Sequence, residues 1–570
     1  MANINVDSKN ERTFDAIVIG SGMSGGWAAK ELTEAGLKTL VLERGRNVEH
    51  VKDYPTTNMM PWEFKHRGEI PYEIQKENPV VSRCYAFRED AQHFFVLDTE
   101  HPYVQQKPFD WIRGYQVGGK SLLWARQTQR WSQYDYDGPA RDGYAVEWPI
   151  GYKDIAPWYD RVEKFVGISG NKDGLPQLPD GVFQPPMDLT CVEQYFIDQM
   201  AEHYPNRPVI IGRCAHLTDP QPIHFKQGRV QCQYRNLCQR GCPYGGYFSS
   251  NSSTIPWAAK TGNMTLRPNS VVQSIIYDDK KEKVTGVRVI DAETKETIEY
   301  YGRIVFLNAS TLNSNLILLN STSNRFPNGL GNDNGLLGKY VAFHNYRGKI
   351  SAQYEGFMDR TTSGRRPNGG YIPRFRNVFE QETDFLRGYA AGLSAFRSTE
   401  RDYDGIGKSL KEGLTNTELG PWHVGSHMMG ETIPRESNHV SLDPNKKDEW
   451  GMPLLDVSVD YTDNEEKMLQ DFFEQMTAMY EKAGFTNIKT RDTKQAPGLD
   501  IHEMGGVRMG KDPKTSLLNK WNQLHTCKNV FVTDGACMTS TSTQNPSLTY
   551  MALTARAVNH AVDEMKKQNL

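Results

Sequence analysis

The chain has 570 residues, of which 24% are charged and 38% hydrophobic, with a formal net charge of −3. That length buries a large core and admits two to four domains, and the near-balanced charge gives no reason to expect nucleic acid or an anionic membrane as partner. No apolar run approaches the ~20 residues of a membrane span, and the polar start, MANINVDSKNERTFD, lacks the apolar segment of a signal peptide, so neither direct membrane insertion nor self-directed export is expected.

From Phe14 the chain reads FDAIVIG, then SGMSGG, then WAAKELTEAG at helical spacing, then LKTLVLERG. This is strand, glycine turn, helix and strand within about thirty residues. Gly20, Gly22 and Gly25 form a GxGxxG fingerprint. The first glycine permits the tight turn, the second lets backbone approach a pyrophosphate, and the third lets helix and strand pack closely. Glu43, at the end of the second strand, lies where a carboxylate can hold ribose hydroxyls. The motif alone does not separate FAD from NAD.

The next informative stretch, WIRGYQVGGKSLLWARQTQR, carries the pair Gly118-Gly119 and Ser121, suited to close contact with a flat ring and its side chain. Further on, QCQYRNLCQRGCPYGGY sets Cys232, Cys238 and Cys242 in one short loop, with Pro243 directly after the last. Five residues separate the first two and three the next two, so neither is the CxxC of zinc ribbons or thioredoxin-like sites. Three neighbouring thiols suit a three-iron, four-sulfur cluster, and a four-iron cluster would need a distant ligand such as Cys214. A disulfide, or three free thiols, is the alternative reading. Cys84, Cys191, Cys214, Cys527 and Cys537 are scattered and read as core thiols.

LRPNSVVQSIIYD, VTGVRVI and RIVFLNAS read as strands returning to the first sheet. The C-terminal stretch reads as a strand ending at Asp534-Gly535 and a helix with Asn545 as N-cap and Pro546 at its first position. Leu548, Met551, Ala552, Ala555, Val558 and Ala561 give that helix one apolar face, so it is expected inside.

These segments, together with HEMGGVRMG and TQNPS, resemble the glucose-methanol-choline (GMC) oxidoreductase family over nearly the whole chain, within it the bacterial sugar dehydrogenase flavoprotein subunits and pyranose oxidases. The resemblance implies an α/β fold with a Rossmann-like FAD-binding domain and a second, mixed-sheet substrate-binding domain. The first is expected from segments 1–48, 108–137, 230–343 and 495–570, and the second from 49–107, 138–229 and 344–494. It implies FAD held by Gly20, Ser21, Gly22, Met23, Ser24, Gly25, Glu43, Arg44, Gly118, Gly119, Ser121, Val272, Asp534, Gly535, Asn545 and Pro546. Relatives with covalent FAD carry a histidine just before the tryptophan that follows the glycine pair. Leu123 stands there, so noncovalent FAD is expected.

Oxidising an alcohol by hydride transfer requires a base for the hydroxyl proton and a polar group to orient the oxygen. His502 and Asn545 match the family's catalytic pair, and imidazole titrates near working pH. The positive end of the last helix would stabilise charge arriving on the flavin. His344, His423 and His427 are read as pocket wall or core.

The resemblance further implies the 3Fe-4S cluster on the cysteine loop, a cytochrome c acceptor, and a small companion subunit with an export signal. Periplasmic export on that partner and a cytoplasmic location both fit. The leading expectation is oxidation of a sugar or glycoside at carbon 3, of the glucoside 3-dehydrogenase type. A gluconate 2-dehydrogenase or glucose dehydrogenase subunit comes second, and an oxygen-using pyranose oxidase third. An NAD-dependent enzyme is disfavoured by the C-terminal flavin segment, and a silent scaffold by the presence of both His502 and Asn545.

Overall fold

Two fully apolar runs nucleate the first sheet. Ala16–Ile19 and Leu40–Leu42 are buried at every position, as parallel strands covered on both faces must be. In the computed structural model, which describes residues 11–144, 146–362, 369–401 and 404–570, the strand Thr13–Ile19 lies between Thr39–Leu42 and Thr297–Leu307, parallel to both. Residues 1–10, on which the reading of the polar N-terminus mostly rests, lie outside the described residues. Met264–Arg267 extends one edge, Val530–Val532 pairs parallel with the end of Thr297–Leu307, and the hairpin of Ser270–Asp278 with Lys283–Asp291 adds antiparallel strands. The three late segments do return to the first sheet.

The glycine turn leads straight into the helix Met23–Glu34, which packs against the last helix. That last helix spans Ser547–Lys566, with Pro546 rather than Asn545 as its N-cap. The Pro546 carbonyl accepts the first intrahelical bond from Tyr550, while the Asn545 side chain is turned to His502 and caps nothing. Leu548, Met551, Ala552, Ala555, Val558 and Ala561 are all buried, as expected. The preceding strand stops at Val532, two residues short of Asp534. Asp534 instead caps the short turn Gly535–Cys537 by accepting from the Ala536 N–H.

A second seven-stranded sheet is antiparallel and built around Gly348–Tyr354, Tyr389–Thr399 and Leu419–Glu431. Its strands alternate. Ile350, Ala352, Trp422, Val424 and Met428 enter a core shared with the helices Cys191–His203 and Asp463–Lys482, through Phe196, Met468, Leu469, Phe472 and Met476. A five-stranded sheet, in the order Met504–Gly506, Lys339–Ala342, His439–Lys447, Pro453–Ser458 and Val104–Gln105, draws strands from both sets of segments. Among the described residues no helix is long and apolar enough to cross a membrane.

Candidate active site

A cavity of about 1000 Å³ collects residues from the glycine turn, the 118–126 loop, the cysteine loop, the second sheet and the C-terminal turn. Gly20, Ser21, Gly22, Met23, Ser24, Glu43, Arg44, Gly119, Ser121, Val272, Asp534, Gly535, Asn545 and Pro546 all line it, as does His502. Gly25 and Gly118 do not, and each shapes the wall instead. A Cβ at Gly25 would lie 2.0 Å from the Gly20 carbonyl oxygen. Gly118 has φ +87°, and its Cβ would overlap Asn251 at 1.7 Å. At Gly22, by contrast, a Cβ would meet nothing within 4 Å, so that backbone faces open space. A helix N-terminus behind an uncovered glycine turn is the cradle a pyrophosphate requires.

Glu43 is held by the Ser21 hydroxyl at 2.5 Å and by the Ser21 and Gly45 N–H groups at 3.2 and 3.0 Å; burial pushes its carboxyl up. Burial likewise pushes Asp534 up to about 6, against the Ser314 hydroxyl 2.5 Å away. Leu123 lines the cavity and carries no nucleophilic atom. The residues present thus fit a dinucleotide, which the glycine turn, Glu43 and the 118–121 loop would hold.

The reacting end is a chain of hydrogen bonds. The Nε2 of His344 lies 2.5 Å from the Ser542 carbonyl oxygen, which only accepts, so Nε2 carries the proton. Burial pushes His344 down to about 4, so its ring is neutral and its Nδ1 holds a lone pair. That lone pair faces Nδ1 of His502 at 2.9 Å, which makes the His502 Nδ1 the donor. The remaining nitrogen, Nε2 of His502, is a free base, and the Asn545 amide N–H points to it at 3.1 Å. Burial, then the neighbouring His344 and Lys120, hold His502 well below the usual imidazole range. Backbone topology has assigned the tautomer.

Asp500 completes the cluster. Its carboxylate accepts from the His344 backbone N–H at 2.9 Å, and burial pushes it up to about 7. His344, Asp500 and His502 lie within 4.8 Å of one another and are, among the described residues, the one set placed to share a single ion. The 2.9 Å separation of the two Nδ1 atoms is a hydrogen bond; two ligand bonds of ~2.0 Å at a tetrahedral angle would set them ~3.3 Å apart.

The partners of His502 were the part the sequence reading missed. His344 is core, as expected, and its Nδ1 is also the acceptor for His502, while Asp500, two residues before His502, is a neighbour that no motif marks. His427 lines the cavity, whereas His423 packs against Phe396 with ring centres 5.5 Å apart and does not.

All eight cysteines are free thiols, so the disulfide reading of the loop does not hold. Cys232, Cys238 and Cys242 are half-buried, and Cys238 Sγ lies 3.9 Å from Nε2 of His216. The charges of Cys238 and Cys242 both act on Cys232, whose thiol is pushed up to about 11, chiefly by burial. Cys214, buried next to Ser169, is pushed up to about 12 and also feels Cys232. The loop's Asn236 and Gln239 line the same cavity as His502. Among the described residues no sulfur of this loop belongs to a set placed to share one ion.

Family models for GMC oxidoreductases match residues 14–344 and 434–554. Among similar proteins, the 2-methyl-1,2-propanediol dehydrogenase of Mycolicibacterium austroafricanum is 29% identical over 95% of this chain and 94% of its own. The fructose dehydrogenase large subunit of Gluconobacter japonicus is 24% identical over 98% of this chain and 100% of its own. The gluconate 2-dehydrogenase flavoprotein of Pantoea cypripedii is 25% identical over 95% and 92%. The chain belongs to the GMC oxidoreductases, a family of FAD-binding enzymes that act on alcohol and sugar CH–OH groups.

Proposed function

We propose that this GMC oxidoreductase oxidises a sugar hydroxyl to a carbonyl, with His502 as base and Asn545 as orienting group. The unprotonated Nε2 of His502, beside the Asn545 amide, carries the reading. An entering hydroxyl takes the place of the Asn545–His502 contact. Its oxygen accepts from the Asn545 N–H and its proton passes to His502 Nε2. FAD, held noncovalently by the glycine turn, Glu43 and the 118–121 loop, would supply the hydride-accepting chemistry. As His502 gains a proton it keeps its Nδ1–H···Nδ1 bond to His344.

Carbon 3 of a glucoside is the regiochemistry we favour, with carbon 2 of gluconate second, as the named activity of one relative suggests. A three-iron, four-sulfur cluster on Cys232, Cys238 and Cys242 would accept electrons one at a time and pass them to a cytochrome-type acceptor. The large-subunit name of one relative favours a companion subunit. Anaerobic stopped-flow tests the reading: sugar should bleach the flavin of the wild type, and His502→Ala or Asn545→Ala should slow this ~10²- to 10⁴-fold with FAD retained. A His502→Ala enzyme with a full flavin complement and more than half the rate would overturn it.

A further inference from the structure

The strand Gly348–Tyr354 sends Ile350 and Ala352 into the core, so Lys349 points to the opposite face and lines the cavity. His427 is its cross-strand neighbour and also lines the cavity. Both meet the ring of Tyr346. The rings of Tyr346 and His427 are centred 5.1 Å apart, and the Lys349 ammonium lies 5.7 Å from the Tyr346 centre. Tyr346 in turn feels the charge of Asp500, which abuts His502. His502, Asp500, Tyr346, His427 and Lys349 thus all line one cavity.

Beyond the Tyr346 ring, that ammonium has neither an ion pair nor a hydrogen bond. Of the other lysines and arginines on the cavity, Arg44, Arg83 and Lys120 are ion-paired, and Arg113, Arg126 and Arg397 donate to backbone carbonyls. Of these cavity cations, Lys349 is the one for which no ion pair or hydrogen bond is found among the described residues. Its nearest influence is repulsive: Arg491 sits across the neighbouring strand pair, and burial followed by that like charge lowers the Lys349 pKa. Lys349 is itself exposed, and a cation without an acceptor on the wall of a substrate cavity attracts an anion through the field the cavity focuses.

We infer that Lys349 binds a carboxylate of the substrate, with Tyr346 and His427 beside it, so that the enzyme acts on acidic sugars. This rests on the sugar-oxidising reading above and adds the charge of the substrate. The surroundings suit a carboxylate rather than a phosphate. The Tyr346 phenol stays protonated because burial raises its pKa, and His427, held down to about 4 by burial, is a neutral ring with one N–H. Each is a single donor, and neither the paired fork of a free arginine nor a helix N-terminus faces the ammonium, as a dianion usually demands.

The test compares sugars that differ only in a carboxylate at carbon 6, glucose with glucuronate and methyl glucoside with methyl glucuronide, and adds glucose 6-phosphate as the phosphate arm. Anaerobic flavin reduction is the readout. In the wild type the acidic member of each pair should have the higher kcat/KM, and its KM should rise with ionic strength. Lys349→Met should narrow that preference at least tenfold, with the loss falling on KM rather than kcat. Lys349→Arg should restore most of it. Neutral sugars oxidised as well as their acids by the wild type, an unchanged preference in Lys349→Met, or a preference for the phosphate would each overturn the inference. Flavin bleaching by the neutral sugars alone would leave the sugar-oxidising reading standing while this one falls.

Discussion

His344 and His502 meet through like atoms, Nδ1 to Nδ1, at 2.9 Å. Two neutral imidazoles make that bond only if one donates and the other accepts, and the Ser542 carbonyl at His344 Nε2 decides which. The base is poised from a distance, by a peptide oxygen two hydrogen bonds away.

Replacing His344 with Ala should therefore damage the chemistry without touching the alcohol. With Nδ1 of His502 unpaired, the ring is free to take the other tautomer and present an N–H to the substrate. The rate of flavin reduction at saturating sugar should fall ~10²-fold, with little change in KM and FAD still bound. A crystal structure of the variant with His502 unmoved and a wild-type rate would contradict the assignment.

The acid limb of the kcat/KM profile should lie below pH 6.5, because burial and neighbouring His344 and Lys120 hold His502 under its usual value and the base works unprotonated. An activity that falls away already on going from pH 8 to pH 7, with His502 as the titrating group, would show that bound cofactor reverses this environment.

Asp500 makes a prediction about stability. Its native pKa is about 7, against an ordinary 3.8, so between about pH 4 and pH 7 the folded state binds more protons than the unfolded one. Stability at this site is then fully present below about pH 4 and is lost as pH rises through about 7. Asp500→Asn keeps an acceptor for the His344 N–H and removes the ionisation. The Tm of the variant should exceed that of the wild type by on the order of a few degrees at pH 8, with the gap closing toward pH 4. A Tm difference independent of pH would show that Asp500 does not titrate in this range.

Leu123 at the cavity wall predicts that heat or acid releases the flavin into the supernatant. Yellow colour that stays with the precipitated chain would mean a covalent link elsewhere.

Cys238→Ser should remove iron and stop electron delivery to a cytochrome or electrode, since a hydroxyl is a poor replacement for thiolate on iron, while reduction of the flavin by sugar largely survives. Wild-type protein without iron that still reduces the cytochrome normally would return the loop to three free thiols.

Read from the sequence alone, the dinucleotide half was legible because its constraints are local. Gly20, Gly22 and Gly25 lie close together in sequence; Gly20 and Gly25 leave no room for a Cβ, and Gly22 leaves the backbone uncovered. The pairing of His502 with Asn545 was legible through motif resemblance, and the structure brings their side chains to 3.1 Å. The boundary of the last helix was off by one because a side chain that caps in isolation had a better partner in His502. What the tertiary structure decided were the properties that depend on which groups are absent. The tautomer of His502 depends on His344, 158 residues away, and on a carbonyl from a third segment. The loneliness of Lys349 depends on every acceptor that packing has placed elsewhere. Hydrogen-bond direction, desolvation and an unmatched charge belong to the assembled environment of a side chain, and no stretch of sequence carries them.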